Sequence, residues 1–88
     1  MTISQELDHA EAYLEQAMMD FTDALDNGDL DLSFWHNEAE RQITNIEALR
    51  SELPTIIEGK PDALELEAIY ASLLHRAYNF LRFIQATI

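Results

Sequence analysis

Apolar residues in the first stretch of the chain fall at Ile3, Leu7, Ala10, Leu14, Ala17, Phe21 and Ala24. The steps alternate between four and three residues, which is the seam of a helix that packs along its length. One row of that seam is large (Leu7, Leu14, Phe21) and the other is alanine (Ala10, Ala17, Ala24). The alanine row predicts a neighbouring helix at the short end of the ~8–10 Å interaxial range. Thr2 and Gln5 have capping-box spacing, and Asn27-Gly28 tolerate the left-handed backbone at a helix end. The pattern predicts a first helix over about 3–26.

A second stripe follows at Leu32, Trp35, Ala39, Ile43, Ile46, Leu49 and Leu53. Asp31 is its N-cap candidate, and Leu30 with Trp35 has the spacing of a hydrophobic staple. Pro54 ends it, because proline disfavours helix in the residue before it. The second helix is therefore expected over 32–53. Residues 54–62 read as a linker, with one short turn at Thr55-Ile56-Ile57-Glu58. Gly59-Lys60-Pro61-Asp62 is a stop-and-start signal, in which Asp62 would cap a third helix over 63–86 with Glu65 as its reciprocal partner.

That third segment is apolar on far more than one stripe, from Leu64, Leu66 and Ile69 through Tyr70, Leu73, Leu74, Tyr78, Phe80, Leu81, Phe83 and Ile84 to Ile88. Polar residues keep only a narrow strip around Glu65, Ser72, Arg76, Asn79 and Arg82. A helix apolar nearly all round needs cover on nearly every side. It is either central to the bundle or presents a surface to a partner or a second copy. Taken together, the chain reads as one all-α domain, an antiparallel three-helix bundle in which a helical hairpin packs on a third long helix in coiled-coil fashion.

Charge changes the picture more than composition does. The formal net charge is −12 over 88 residues. Residues 1–40 hold eleven acids and no Lys or Arg, while 41–88 hold six acids and five bases. An acidic face of Glu6, Asp8, Glu11, Glu15, Asp20, Asp23, Asp26, Asp29 and Asp31 is expected on the first helix and the corner after it. Phosphate backbones and anionic membranes attract cationic surfaces, so neither direct nucleic-acid binding nor membrane binding is expected. A basic protein partner is permitted, and a solvated face that keeps a small protein soluble is the plain alternative. No apolar run approaches the ~20 residues of a membrane helix. The first residues lack a secretory-signal pattern, and there is no cysteine. A cytoplasmic protein is the expectation.

The corner Asp23-Ala24-Leu25-Asp26-Asn27-Gly28-Asp29-Leu30-Asp31 has the look of a calcium loop. With Gly28 at the sixth loop position, Leu25 takes the third and Phe34 the twelfth, where oxygen donors are required. The carboxylates are better explained by capping and by the helix macrodipole. Glu6-Leu7-Asp8-His9 matches one Glu-x-x-His unit of a carboxylate-bridged di-iron bundle, but such a site needs a second unit. A metal-carboxylate bundle is thus the weakest reading, and no metal or cofactor is expected. His36 and Glu40 read as an i,i+4 surface pair. Ser4, Ser33, Ser51 and Ser72 have no evident base, and no phosphate-cradling loop occurs. No catalytic residue is assigned.

The aromatic and methionine positions remain. Trp35 belongs to the core stripe and Phe34 lies off it. Ala12 and Met19 lie opposite the first seam, with Tyr13 and Met18 near its edges; exposed Met and Tyr favour protein contact. The expected partner-binding set is Tyr13, Met18, Met19, Phe34, Leu74, Tyr78, Leu81 and Phe83. The function these features favour is a small acidic, non-enzymatic interaction module of the chaperone, adaptor or inhibitor kind. It would bind a partner helix, or itself as a homo-oligomer, through apolar helix faces. The alternative is an acidic mimic of nucleic acid that occupies the basic channel of a nucleic-acid-binding protein, and whose binding would weaken steeply with salt.

Overall fold

Thr2 and Gln5 satisfy each other's backbone. In the computed structural model, which describes residues 2–28, 30–53 and 63–87, the Thr2 hydroxyl accepts from Gln5 N–H at 3.2 Å and Gln5 Oε1 accepts from Thr2 N–H at 3.1 Å. This capping box opens α1, Ile3–Asn27. Gly28 closes it at φ 71°, with its N–H on the carbonyls of Ala24 and Leu25. That left-handed backbone is what a Cβ would penalise.

Four residues later the chain is helical again. Asp31 Oδ1 accepts from Phe34 N–H at 3.2 Å and caps α2, Leu32–Ala48. Leu30 packs against the core cluster that contains Trp35, as the staple spacing anticipates. The expected end at Leu53 is revised. The α-helix stops at Ala48, and Leu49–Glu52 tighten into a 3-10 turn. Terminal carbonyls without α-helical partners are commonly taken up this way. Leu53 itself is extended, φ −71° and ψ 137°, the conformation imposed on a residue that precedes proline. The third helix, α3, spans Ala63–Thr87. The linker 54–62, with its turn, its stop-and-start signal and the Asp62 cap, lies outside the described residues, as do Asp29 and Ile88.

The helices form an antiparallel three-helix bundle, up-down-up in order. Arg76 of α3 bonds Glu11 and Glu15 of α1, and Phe80 and Phe83 meet Phe21 farther along both. α1 and α3 therefore run parallel. α2 runs against them, with Trp35 at the Phe21 level and Arg50 beside Glu67 and Tyr70 at the other end. Each long helix buries one stripe: Leu7, Leu14, Ala17 and Phe21; Trp35, Ala39, Ile43 and Ile46; Tyr70, Leu73, Ala77, Phe80 and Ile84. Full burial of a large apolar side chain is worth roughly 1.5–3 kcal/mol, and these positions supply the cohesion of the bundle. Phe21 is its hub, edge-on to Trp35, Phe80 and Phe83 at 5.6–5.8 Å between ring centroids.

The alanine row does not act as its spacing suggests. The most extensive pairing is α2 with α3, and α1 stands farther from both. Ala39 and Ala77, fully buried, belong to that closest pair. Ala10 and Ala24 are only half-buried, and Ala10 lies in an open furrow between α1 and α2 beside Glu6, Tyr13, Arg41 and Leu49. Ala17, the middle of the row, is buried in the core, so the row is divided between core and furrow.

Candidate functional site

α3 leaves several apolar side chains in water. Leu64, Ile69, Tyr78 and Phe83 remain 39–67% exposed. They lie on more than one side of the helix. Tyr78 stands on the α2 side, where Leu74 and Leu81 are half-buried against the core and the Tyr78 hydroxyl reaches Glu47 at 3.5 Å. Ile69 and Phe83, two turns either side of Arg76, stand on the α1 side with it.

Between α1 and α3 runs an apolar groove. Met18, Phe21 and Phe80 form its floor, Phe83 one wall, and Thr22, Arg76 and Asn79 the polar edge. It continues over α1 into a shallower depression lined by Glu15, Met18, Met19, Thr22 and Asp23. Met19 is 62% exposed and Phe83 is 54% exposed. The sequence pattern places Phe83 here for a physical reason. It follows Phe80 by three positions, so it shares that residue's side of the helix without reaching the centre of the buried stripe.

The eight expected partner-binding residues thus separate. Met18 and Phe83 come together at the α1/α3 groove, and Met19 lines the shallower depression over α1. Leu74, Tyr78 and Leu81 sit on the α2 side of α3. Tyr13, 69% exposed, and Phe34 line a depression between α1 and α2 with Trp35, Glu38, Arg41 and Gln42. Phe34 packs edge-on against Trp35 at 5.1 Å. Ile69 joins the groove side although nothing singled it out in the sequence; the broad apolar character of the third helix hid it.

The acidic residues do not form one face. At about 100° per residue, Glu6 and Asp20 fall on the α2 side of α1, Glu11 and Glu15 turn toward α3, and Asp8, Asp23 and Asp26 point largely outward. Arg76 holds two of these, with 3.2 Å contacts to Glu11 Oε2 and Glu15 Oε1. Asp31 is committed to its cap, and Asp29 is outside the described residues. A phosphate-like double row is not the arrangement seen.

Other polar groups have structural partners. His36 Nδ1 and Glu40 Oε1 are 3.0 Å apart, the expected surface pair. Gln42, buried among apolar neighbours, donates to Glu38 Oε1 at 3.3 Å, and Arg41 contacts the same oxygen at 2.7 Å. Glu6 does not converge with His9 on a metal geometry. Its Oε2 is buried without a hydrogen-bond partner, and its carboxyl meets Glu52 at the 3-10 turn. A hydrogen bond to Glu6, some loss of hydration and the repulsion between the two carboxylates raise the Glu52 carboxyl above its ordinary value. Among the described residues no three His, Asp or Glu side chains gather as a metal ion would need, and no helix is long and apolar enough to cross a membrane.

Compared with protein-family models, with curated proteins and with solved structures, the chain matches none of them.

Proposed function

We propose that the chain is a non-enzymatic protein-binding module whose α1/α3 groove receives an apolar segment of another protein. The observation that carries this reading is exposed Phe83 beside a floor of Met18, Phe21 and Phe80, with exposed Met19 on the adjoining face of α1. Methionine and aromatic side chains are enriched at interfaces, because they are adaptable or bring large area at low entropic cost. A contiguous apolar patch with polar edges is the usual form of a docking surface. The grooves on the rest of the surface are shallow and mixed in character, which suits contact better than enclosure of a small substrate.

Photo-crosslinking in the native host tests this. A photoreactive residue at Phe83 or Met19 should capture one protein of discrete mass. The same residue at Arg82, exposed on the side of α3 away from its buried stripe, should not. Identical capture from groove and control positions would refute the reading.

A further inference from the structure

We infer that the occupant of the α1/α3 groove is a basic amphipathic helix of a partner protein, lying as a fourth helix beside α1 and α3. This rests on the docking reading above and adds the chemistry of the partner to it. The shape argument comes first. The groove is the trough between two long helices that run parallel, so it is linear, and its apolar lining is Phe80 and Phe83 on α3 and Met18 and Phe21 on α1, with Met19 on the adjoining face of α1. A helix laid in a linear trough presents anchors at i, i+3, i+4 and i+7, and flexible methionines adapt to them.

Charge then selects among helices. Asp8, Glu15 and Asp26 are seven and eleven residues apart, spacings that return to the same side of α1. Glu11 stands beside them, and Asp23 and Glu15 line the shallow depression over α1 that adjoins the groove. The basic side chain lining the groove is Arg76, and it is already held between Glu11 and Glu15. A helix docked here would lie with its flanks along that acidic row at an interaxial distance of roughly 8–10 Å. Long basic side chains on those flanks would reach the carboxylates at distances inside the ~8 Å screening length of physiological salt, so the row still acts on the occupant. Lys or Arg on those flanks is complementary. A second copy of this chain would bring an identical acidic row and a further net charge of −12 to the same place, and like charges across an interface oppose association.

The test uses three synthetic peptides of about 21 residues, the length of a helix spanning ~30 Å. They share one leucine seam and carry Lys, Gln or Glu at every other surface position. Binding to the full chain is measured by fluorescence anisotropy, and the contact is mapped by amide chemical shifts. The Lys peptide is expected to saturate, to shift resonances along the α1/α3 groove, and to bind about tenfold or more weakly to Phe83→Ser and to Met19→Ser. Both variants change exposed side chains, and far-UV circular dichroism checks that they fold. The Glu peptide is expected not to bind. If the Gln and Glu peptides bind the groove as tightly as the Lys peptide, the groove docks helices without regard to charge; the inference fails and the docking reading stands. If the Lys peptide binds both serine variants undiminished, attachment is general attraction to an acidic surface, and the inference fails. If no peptide binds, the inference and the docking reading fail together. If light scattering finds a dimer that Phe83→Ser dissolves, a second copy fills the groove and the inference is overturned.

Discussion

Phe21 is 1% exposed and makes three edge-on aromatic contacts, one to α2 and two to α3. It is the residue through which α1 is joined to both other helices at this level. Replacing it by alanine removes a buried ring, which costs about 3–5 kcal/mol including the cavity left behind. Three aromatic pairs, each worth about 0.5–1.5 kcal/mol beyond area, move the expectation to the top of that range. A domain of this length has a total stability of roughly 4–13 kcal/mol at 0.05–0.15 kcal/mol per residue. Phe21→Ala should therefore remove a large fraction of the stability and leave a chain partly unfolded at room temperature. Phe21→Leu keeps most of the volume and loses the ring contacts; about 1–2 kcal/mol is expected, or about 4–16 °C in Tm at 4–8 °C per kcal/mol. Trp35 is the single tryptophan and lies 5.6 Å from the Phe21 ring, so urea melts followed by its fluorescence read the affected contact directly. A loss below about 1 kcal/mol for Phe21→Ala would refute Phe21 as the hub, and with it the placement of α1 against α2 and α3.

Three further outcomes follow from local contacts. Arg76→Ala should lower stability by about 1 kcal/mol or less, since its ion pairs are half-exposed. The difference from wild type should shrink near 1 M salt, where the screening length is about 3 Å, and a salt-independent difference would contradict the clasp. Gly28→Ala should cost about 1 kcal/mol through its positive φ alone, because an added Cβ there meets nothing within 4 Å; Gly28→Asn should cost less, and an alanine variant as stable as wild type would exclude the left-handed cap. The Glu52 carboxyl is raised by its hydrogen bond to Glu6, so its contribution is fully present below its unfolded value and is lost as pH rises through the raised folded value. Glu52→Gln, which keeps a donor at every pH, should flatten the fall in Tm as pH rises above the ordinary glutamate value of about 4.3, and parallel profiles for the two proteins would show that the carboxyls do not share a proton.

Features governed by neighbours three or four residues away were legible in the sequence. The Thr2–Gln5 box, the Asp31 cap, the Gly28 stop and the large row Leu7, Leu14 and Phe21 each follow from local spacing, and each occurs in the structure. Distant contacts were not legible. Arg76 meets Glu11 and Glu15 from more than sixty residues away, and nothing in either segment announces the other. The alanine row was misjudged for the same reason. Which part of a seam a neighbour covers depends on where that neighbour lies, and the row is divided between buried Ala17 and the furrow at Ala10. Pro54 implies an end at Leu53, and Leu53 is extended, but the α-helix already stops at Ala48 and a 3-10 turn over Leu49–Glu52 takes up its last carbonyls. Around the candidate groove, Met18, Met19 and Phe83 were visible as apolar residues off the seams, whereas Ile69 was lost among the many apolar positions of α3.

The two loudest features of the sequence, acidity and excess apolar surface, meet at one place in the structure. A requirement for solubility alone is met by carboxylates placed anywhere on the exposed faces of α1 and α2, and it is best met where no apolar side chain is left in water. The arrangement differs from that. Glu11 and Glu15 turn toward α3 beside the groove that Phe83 walls, Asp8 and Asp26 flank them on the outer edge of α1, and they repel one another along the row. Arg76 relieves only the middle of it. A row of like charge beside exposed hydrophobes opposes folding and solubility in the free chain, and both costs are relieved at once by a cationic helix laid over it. The same charge and apolar surface that are unfavourable separately become complementary in that one arrangement, and for this reason the groove, rather than Tyr13 and Phe34 on the opposite side of α1, is where binding should be sought.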